Sequence, residues 1–324
     1  MRKELAGASV VLAGWLAGTG VLPLEAGEAR LAPGRERLRE KITGNAGEKR
    51  APGAARSLEH AGVKRTYRLH TPKGAPPAKP LPLVIVLHGM GANGALTEAL
   101  TKFSPLADQE GFAVVYPDGL NKRWRYWGDE DTGFIVALVD ELIRQGVADR
   151  ARVHVCGISN GAYLTNVLAS EHADRFAAVA AVAGTMPRRK ASAARPSRPV
   201  PMLYIHGTAD EIAGYDGRDR FSKRELSLAA EDLVHWWVKQ NGCNPTPVRE
   251  KLPDNADDGT TVERFRYQAP GGGADVVFFK INGGGHTWPG GSVQPAELLG
   301  KTCRDFDAAE VMWTFFARHR ARGN

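Results

Sequence analysis

From about residue 62 onward, short apolar runs alternate with longer stretches of helical periodicity, the pattern of a parallel sheet covered by helices on both faces. Residues 63–69 alternate like a half-exposed edge strand. Residues 81–87 are continuously apolar and β-branched, which predicts a central strand buried on both sides. Further strands are expected at 111–116, 151–156, 176–182, 200–205, 261–267 and 275–281. Helices are expected at 134–145, 162–172, 226–240 and 308–319. No repeat of solenoid length is visible. The fold class predicted is α/β, in one domain of catalytic size over 62–320, with 30–61 as a flexible N-terminal extension.

Composition narrows the class without naming a chemistry. At 324 residues, 43% hydrophobic and 24% charged, the chain is neither disordered throughout nor fibrous. Its 43 Lys+Arg against 36 Asp+Glu give a formal charge of +7, which alone would suggest an anionic partner. The excess lies in residues 1–60, in the Pro/Ala/Ser-rich loop 187–200 and in the tail 317–324; the remainder is net acidic. No zinc-finger spacing or basic and aromatic module accompanies it, so nucleic acid is not expected as a partner. Residues 1–29 read as a signal peptide: Arg2 and Lys3 precede an apolar stretch at 6–24, with Ala26 and Ala29 as small residues near a cleavage point. Glu4 and the glycines of that stretch weaken the pattern. A secreted or periplasmic protein is expected, with no membrane span in the mature body. Of three cysteines, Cys156 sits in an apolar run, leaving Cys243 and Cys303 as a possible disulfide. No Cys/His spacing suits a metal.

The chemistry concentrates at strand ends. Gly157-Ile-Ser-Asn-Gly161 lies between a predicted buried strand and a predicted helix, where a serine on a sharp turn would be displayed at the carboxyl end of the sheet. As a bare pattern G-x-S-x-G arises by chance; the strand before and the helix after make it informative. A serine nucleophile needs a base and an orienting carboxylate. His286 follows the last predicted strand in Gly283-Gly-Gly-His286-Thr-Trp-Pro-Gly290, and Asp210 follows another in His206-Gly-Thr-Ala-Asp210. Asp216 and Glu211 compete with Asp210 for the acid. After strand 81–87 the turn His88-Gly-Met-Gly91 offers the Met90 N–H, and Asn160 offers its own, as oxyanion donors; His88 is read as shaping that turn. Tyr126, Trp127 and above all Trp288, two residues from His286, are candidates for a substrate pocket, and Trp124 is placed evenly between packing and substrate contact.

These segments, with Tyr116-Pro-Asp-Gly119, Asp131-Thr-Gly-Phe134 and Arg304-Asp-Phe-Asp-Ala308, resemble the polyhydroxybutyrate depolymerase and feruloyl-esterase-like family of α/β-hydrolases over about residues 62–318. The resemblance implies the α/β-hydrolase fold and cofactor-independent hydrolysis of a carboxylic ester. It also implies Ser159, Asp210 and His286 as the triad, with Met90 and Asn160 as oxyanion donors. The expected substrates are hydroxyalkanoate oligomers or short-chain esters, with feruloyl or acetylxylan esters as the alternative. A non-catalytic binding protein on the same fold is the remote one. The chain ends at its last predicted helix with no separate surface-binding domain, so efficient attack on crystalline polymer is not expected.

Overall fold

The computed structural model describes residues 53–73, 79–218, 225–292 and 294–321; the leader at 1–29 and most of the extension at 30–61 lie outside them. Among the described residues ten strands form one sheet in the order β1-β2-β4-β3-β5-β6-β7-β10-β9-β8. Its centre comprises β4 (Ala113–Pro117), β3 (Leu81–Leu87), β5 (Ala148–Ile158), β6 (Ala178–Val182), β7 (Met202–Gly207) and β10 (Val276–Asn282), all parallel. The edges are antiparallel: β1 (Ala54–His60) and β2 (Val63–His70) on one side, β9 (Thr261–Tyr267) and β8 (Val248–Lys251) on the other.

Two apolar layers cover the two faces, as the unbroken hydrophobicity of the central strands requires. Along β3, Leu83, Ile85 and Leu87 pack into one layer and Val84 and Val86 into the other. The first layer is closed by α3 (Glu130–Arg144), α4 (Asn160–Glu171) and α6 (Ala230–Gln240). The second is closed by α2 (Phe103–Glu110), which follows α1 (Gly94–Thr101), and by α8 (Ala308–Phe316). The remaining helices are short, α5 (Arg188–Ala193) and α7 (Ala296–Leu299).

Several expectations change. Residues 54–60, placed in the extension, form the edge strand β1, joined to β2 by a two-residue turn, Ala61-Gly62, with positive φ at both positions. Such a turn suits the twist of a hairpin. The basic segment 187–200 carries the short helix α5 rather than being loop throughout. Cys243 and Cys303 are free thiols on opposite sides of the sheet: Cys243 packs against the first layer and donates to the Ala274 carbonyl, while Cys303 is buried in the second. The sheet between them rules out the expected disulfide in this fold.

A buried ion pair joins β2 to the first turn of α3. Arg65 donates to Asp131 Oδ1 at 2.6 Å with both side chains 1% exposed, and its guanidinium lies 4.0 Å from the centre of the Phe134 ring. The other oxygen, Oδ2, accepts the Arg125 N–H at 2.6 Å, so the pair anchors the aromatic segment 124–127. Removing one partner strands a buried charge. Arg65→Met is therefore expected to cost about 3–5 kcal/mol in denaturant unfolding, and the double replacement Arg65→Met with Asp131→Leu much less than twice that. Additive losses would contradict the reading.

His154 on β5 is wholly buried, stacks on Phe316 at 4.8 Å and has no partner for Nδ1 among the described residues. Burial, helped by His319 and Arg152, pushes its pKa down to about 3. The unfolded chain thus takes up a proton near pH 6.5 that the native state refuses. His154 therefore lowers stability as pH falls from 6.5 towards 3, by up to about 1.4 kcal/mol per pH unit. His154→Phe should flatten that part of the stability profile; an unchanged acid slope would refute it.

Candidate active site

The six parallel strands end along one edge, and the turns that leave β3, β5, β7 and β10 there carry Met90, Ser159, Asp210 and His286. Ser159 follows β5 with φ 56° and ψ −122°, a left-handed conformation that a side chain rarely adopts. Its N–H donates to the Val182 carbonyl at 2.9 Å, and its carbonyl accepts the Tyr163 N–H, starting α4. The flanking glycines answer to close approach. A Cβ on Gly157 would lie 2.6 Å from the Gly161 backbone, and one on Gly161 would lie 2.4 Å from the Leu87 carbonyl oxygen.

Asp210 and His286 come from the turns after β7 and β10, which are laced together: Ala209 N–H donates to the Gly284 carbonyl and Gly283 N–H to Thr208 Oγ1. His286 Nδ1–H donates to Asp210 Oδ2 at 2.8 Å. The other carboxylate oxygen accepts the N–H groups of Ile212 (2.8 Å) and Ala213 (2.9 Å). Burial pushes the Asp210 carboxyl up, but the charge of His286 and the hydrogen bonds from His206 and His286 outweigh it, and the group sits well below the usual carboxylate range. Asp216, the alternative acid, is exposed, accepts from the Arg218 N–H, and does not meet His286. Ser159 is on the same edge and almost buried, but its Oγ makes no hydrogen bond to the imidazole here. Such contacts are often long before substrate binds.

Neither the Met90 nor the Asn160 N–H donates to another group among the described residues. The Asn160 side chain does what its sequence position does not suggest: Oδ1 accepts the Trp124 N–H at 2.5 Å and Nδ2 donates to the Trp124 carbonyl at 3.1 Å. Trp124 Nε1 donates in turn to the His88 carbonyl, and the two rings lie 4.7 Å apart. His88 Nε2 accepts the Gly119 N–H at 2.9 Å, so Nδ1 carries the proton and donates to the Gly89 carbonyl. Burial lowers the pKa of His88, partly offset by that carbonyl, and both ring nitrogens are committed to backbone.

The aromatics divide. Tyr126 stacks on Tyr163 of α4 at 5.3 Å and touches Trp127, which is 58% exposed. Trp288, expected nearest the substrate, is instead wholly buried in the second layer, edge-on to Phe103. Past His286 the chain turns down at Gly290 (φ 67°), where Lys102 Nζ and the Cys303 carbonyl hold it and the Pro289 carbonyl accepts the Ala308 N–H at the start of α8. Sequence reasoning missed His206, whose Nε2 lies 3.3 Å from Asp210 Oδ2; the His-Gly-Thr-Ala-Asp string contained it, but only the aspartate was weighed.

Among the described residues no helix is long and apolar enough to cross a membrane. Residues 65–217 match the family model described as Esterase PHB depolymerase. A protein of Nocardia uniformis subsp. tsuyamanensis named as an esterase, NocK, is 34% identical over 287 residues, 82% of this chain and 83% of that one. A bifunctional acetylxylan esterase/xylanase of Neocallimastix patriciarum is 31% identical over 236 residues, 72% of this chain but 32% of that longer one. An acetyl xylan esterase from Aspergillus awamori, 18% identical, superposes with a TM-score of 0.57 over 82% of this chain and 99% of its own, a likeness of α/β-hydrolase fold. The 34% identity with the Nocardia esterase over four-fifths of both chains, with the family model spanning Ser159 and Asp210, settles the kinship: the chain belongs to the esterase PHB depolymerase family and is a carboxylic ester hydrolase.

Proposed function

We propose that Ser159 is the nucleophile, His286 the general base and Asp210 the orienting acid of a two-step acyl transfer. The observation that carries this reading is the buried His286–Asp210 pair at 2.8 Å, on the sheet edge that also displays Ser159 in its strained turn. His286 takes the Ser159 proton as Oγ attacks the ester carbonyl, and the tetrahedral oxyanion is met by the two uncommitted N–H groups of Met90 and Asn160. The imidazolium then protonates the leaving alcohol. Water enters, gives its proton to His286 and releases the acid. Asp210 remains ionised throughout, because its pKa lies below the range in which the enzyme would be assayed.

The substrate reading is an ester of a short acid or a hydroxyalkanoate oligomer. The exposed Trp127, joined to α4 by ring contacts through Tyr126 and Tyr163, supports a second reading in which a planar feruloyl group or a sugar ring lies against it. The acetylxylan activity named for one relative is consistent with this.

Ser159→Ala should lower hydrolysis of p-nitrophenyl butyrate by several orders of magnitude, and retained turnover would remove Ser159 from the mechanism. Asp210→Asn should reduce kcat by about 10³–10⁴-fold through the wrong imidazole tautomer, whereas Asp216→Asn leaves it unchanged. The reverse pattern would reassign the acid. Trp127→Ala separates the substrate readings. KM for methyl ferulate should rise roughly tenfold, with p-nitrophenyl acetate and 3-hydroxybutyrate oligomers unaffected, if the aromatic surface binds a planar acyl group. Equal effects on all three would sink the second reading.

A further inference from the structure

Asp210 forms no ion pair with Lys or Arg among the described residues; two imidazoles share its Oδ2 instead, His286 at 2.8 Å and His206 at 3.3 Å. His206 projects from β7 with its side chain fully buried. Its protonation is dictated by its neighbours. Nε2 lies 2.9 Å from the Ala213 carbonyl, which can only accept, so Nε2 carries a proton. Nδ1 then accepts from the hydroxyl of Tyr204, whose own ionisation burial pushes far out of reach. Tyr204 O–H thus donates to His206 Nδ1, and His206 Nε2–H donates to the Ala213 carbonyl while lying 3.3 Å from Asp210 Oδ2.

We propose that His206 is a positioning residue for the acid of the triad: its Nε2–H fixes Asp210 Oδ2 and shares its charge, and so sets the basicity of His286. This rests on the triad reading above. An N–H dipole 3.3 Å from the oxygen that faces His286 makes that oxygen a poorer proton acceptor, so the proton taken from Ser159 stays on His286 and is available to the leaving alcohol. The buried His88, in the turn after β3, and His154, on β5, serve backbone and packing and do not touch the carboxylate. The titratable groups facing this cluster are Tyr204 on β7, Tyr163 on α4 and Tyr215 from the turn after Asp210. Beyond Tyr215, Glu231 of α6 accepts both its hydroxyl and Lys280 Nζ of β10, which leaves that cation engaged.

The test compares His206→Phe, which keeps a ring and loses the donor, with His206→Gln, whose Nε2 can occupy the same position. Each is made in the full chain and followed as kcat/KM against pH with p-nitrophenyl butyrate. Without the donor more charge remains on Oδ2, favouring the imidazolium. His206→Phe should therefore move the acid limb about half a pH unit upward and lower kcat roughly tenfold with KM within about twofold, while His206→Gln returns the limb to its parental position. An unmoved limb in His206→Phe, or a shifted one in His206→Gln, overturns the proposal. Should His206→Phe fail to fold, ¹⁵N histidine spectra of the parent chain decide, the signal being assigned by its loss in His206→Gln. An Nε2–H tautomer supports the proposal and an Nδ1–H tautomer overturns it. Ser159→Ala is run alongside: activity surviving there defeats the triad reading itself, whereas loss of activity there with an unmoved acid limb defeats only the role of His206.

Discussion

A serine held at φ 56° and ψ −122° carries roughly 1–3 kcal/mol of backbone strain, and the centre of the molecule is arranged so that it cannot relax. The Ser159 N–H is bound to the end of β6, its carbonyl starts α4, and Gly157 and Gly161 let strand and helix close to a distance that any side chain would forbid. Relaxing the turn would mean separating α4 from β3 and β5, whose contact is part of the first apolar layer. The cost is borne by the core, and what it secures is a hydroxyl projecting from the sheet edge with the first N–H groups of α4 behind it.

The same edge holds charge in a way that burial alone would punish. Asp210 is compensated by two backbone N–H groups on one oxygen and two imidazoles on the other, and Asp131 by Arg65 and the Arg125 N–H. The first arrangement orients His286. The second anchors the segment that carries Trp124 against Asn160 and His88, next to the two N–H groups assigned to the oxyanion. Buried carboxylates thus fix both sides of the serine, and each is satisfied by backbone as well as by a side chain, which makes its position insensitive to rotamer.

Much of this was legible in the sequence because it depends on local pattern. The apolar run at 81–87 can only be a central strand. A G-x-S-x-G string between strand and helix has few other uses, and Asp210 and His286 each lie within a few residues of a strand end. What escaped depends on neighbours distant in sequence. β1 and β8 face solvent along most of their length, so neither has the apolar alternation that marks a strand. Trp288 is close to His286 in sequence, yet its ring is buried in the second layer edge-on to Phe103. The cysteines offered a pairing that only the intervening sheet excludes. His206 was in view as one letter of a motif, and its contact with Asp210 exists because the turn after β7 folds Ala213 back over the ring.

The site divides by how its parts are held as well as by chemistry. On the Asp210 side every polar atom of Tyr204, His206 and His286 that faces the carboxylate is committed, and the turns after β7 and β10 are tied to each other through Gly284. On the other side Trp127 rests on Tyr126 by ring contact and is largely open to solvent. A hydrogen-bonded network in low dielectric tolerates little change, whereas an exposed aromatic ring held by one tilted ring contact can be exchanged at small cost to the fold. Asn160 grips the segment 124–127 by the backbone of Trp124, and the Tyr126 and Trp127 rings beyond it are held by ring contacts instead.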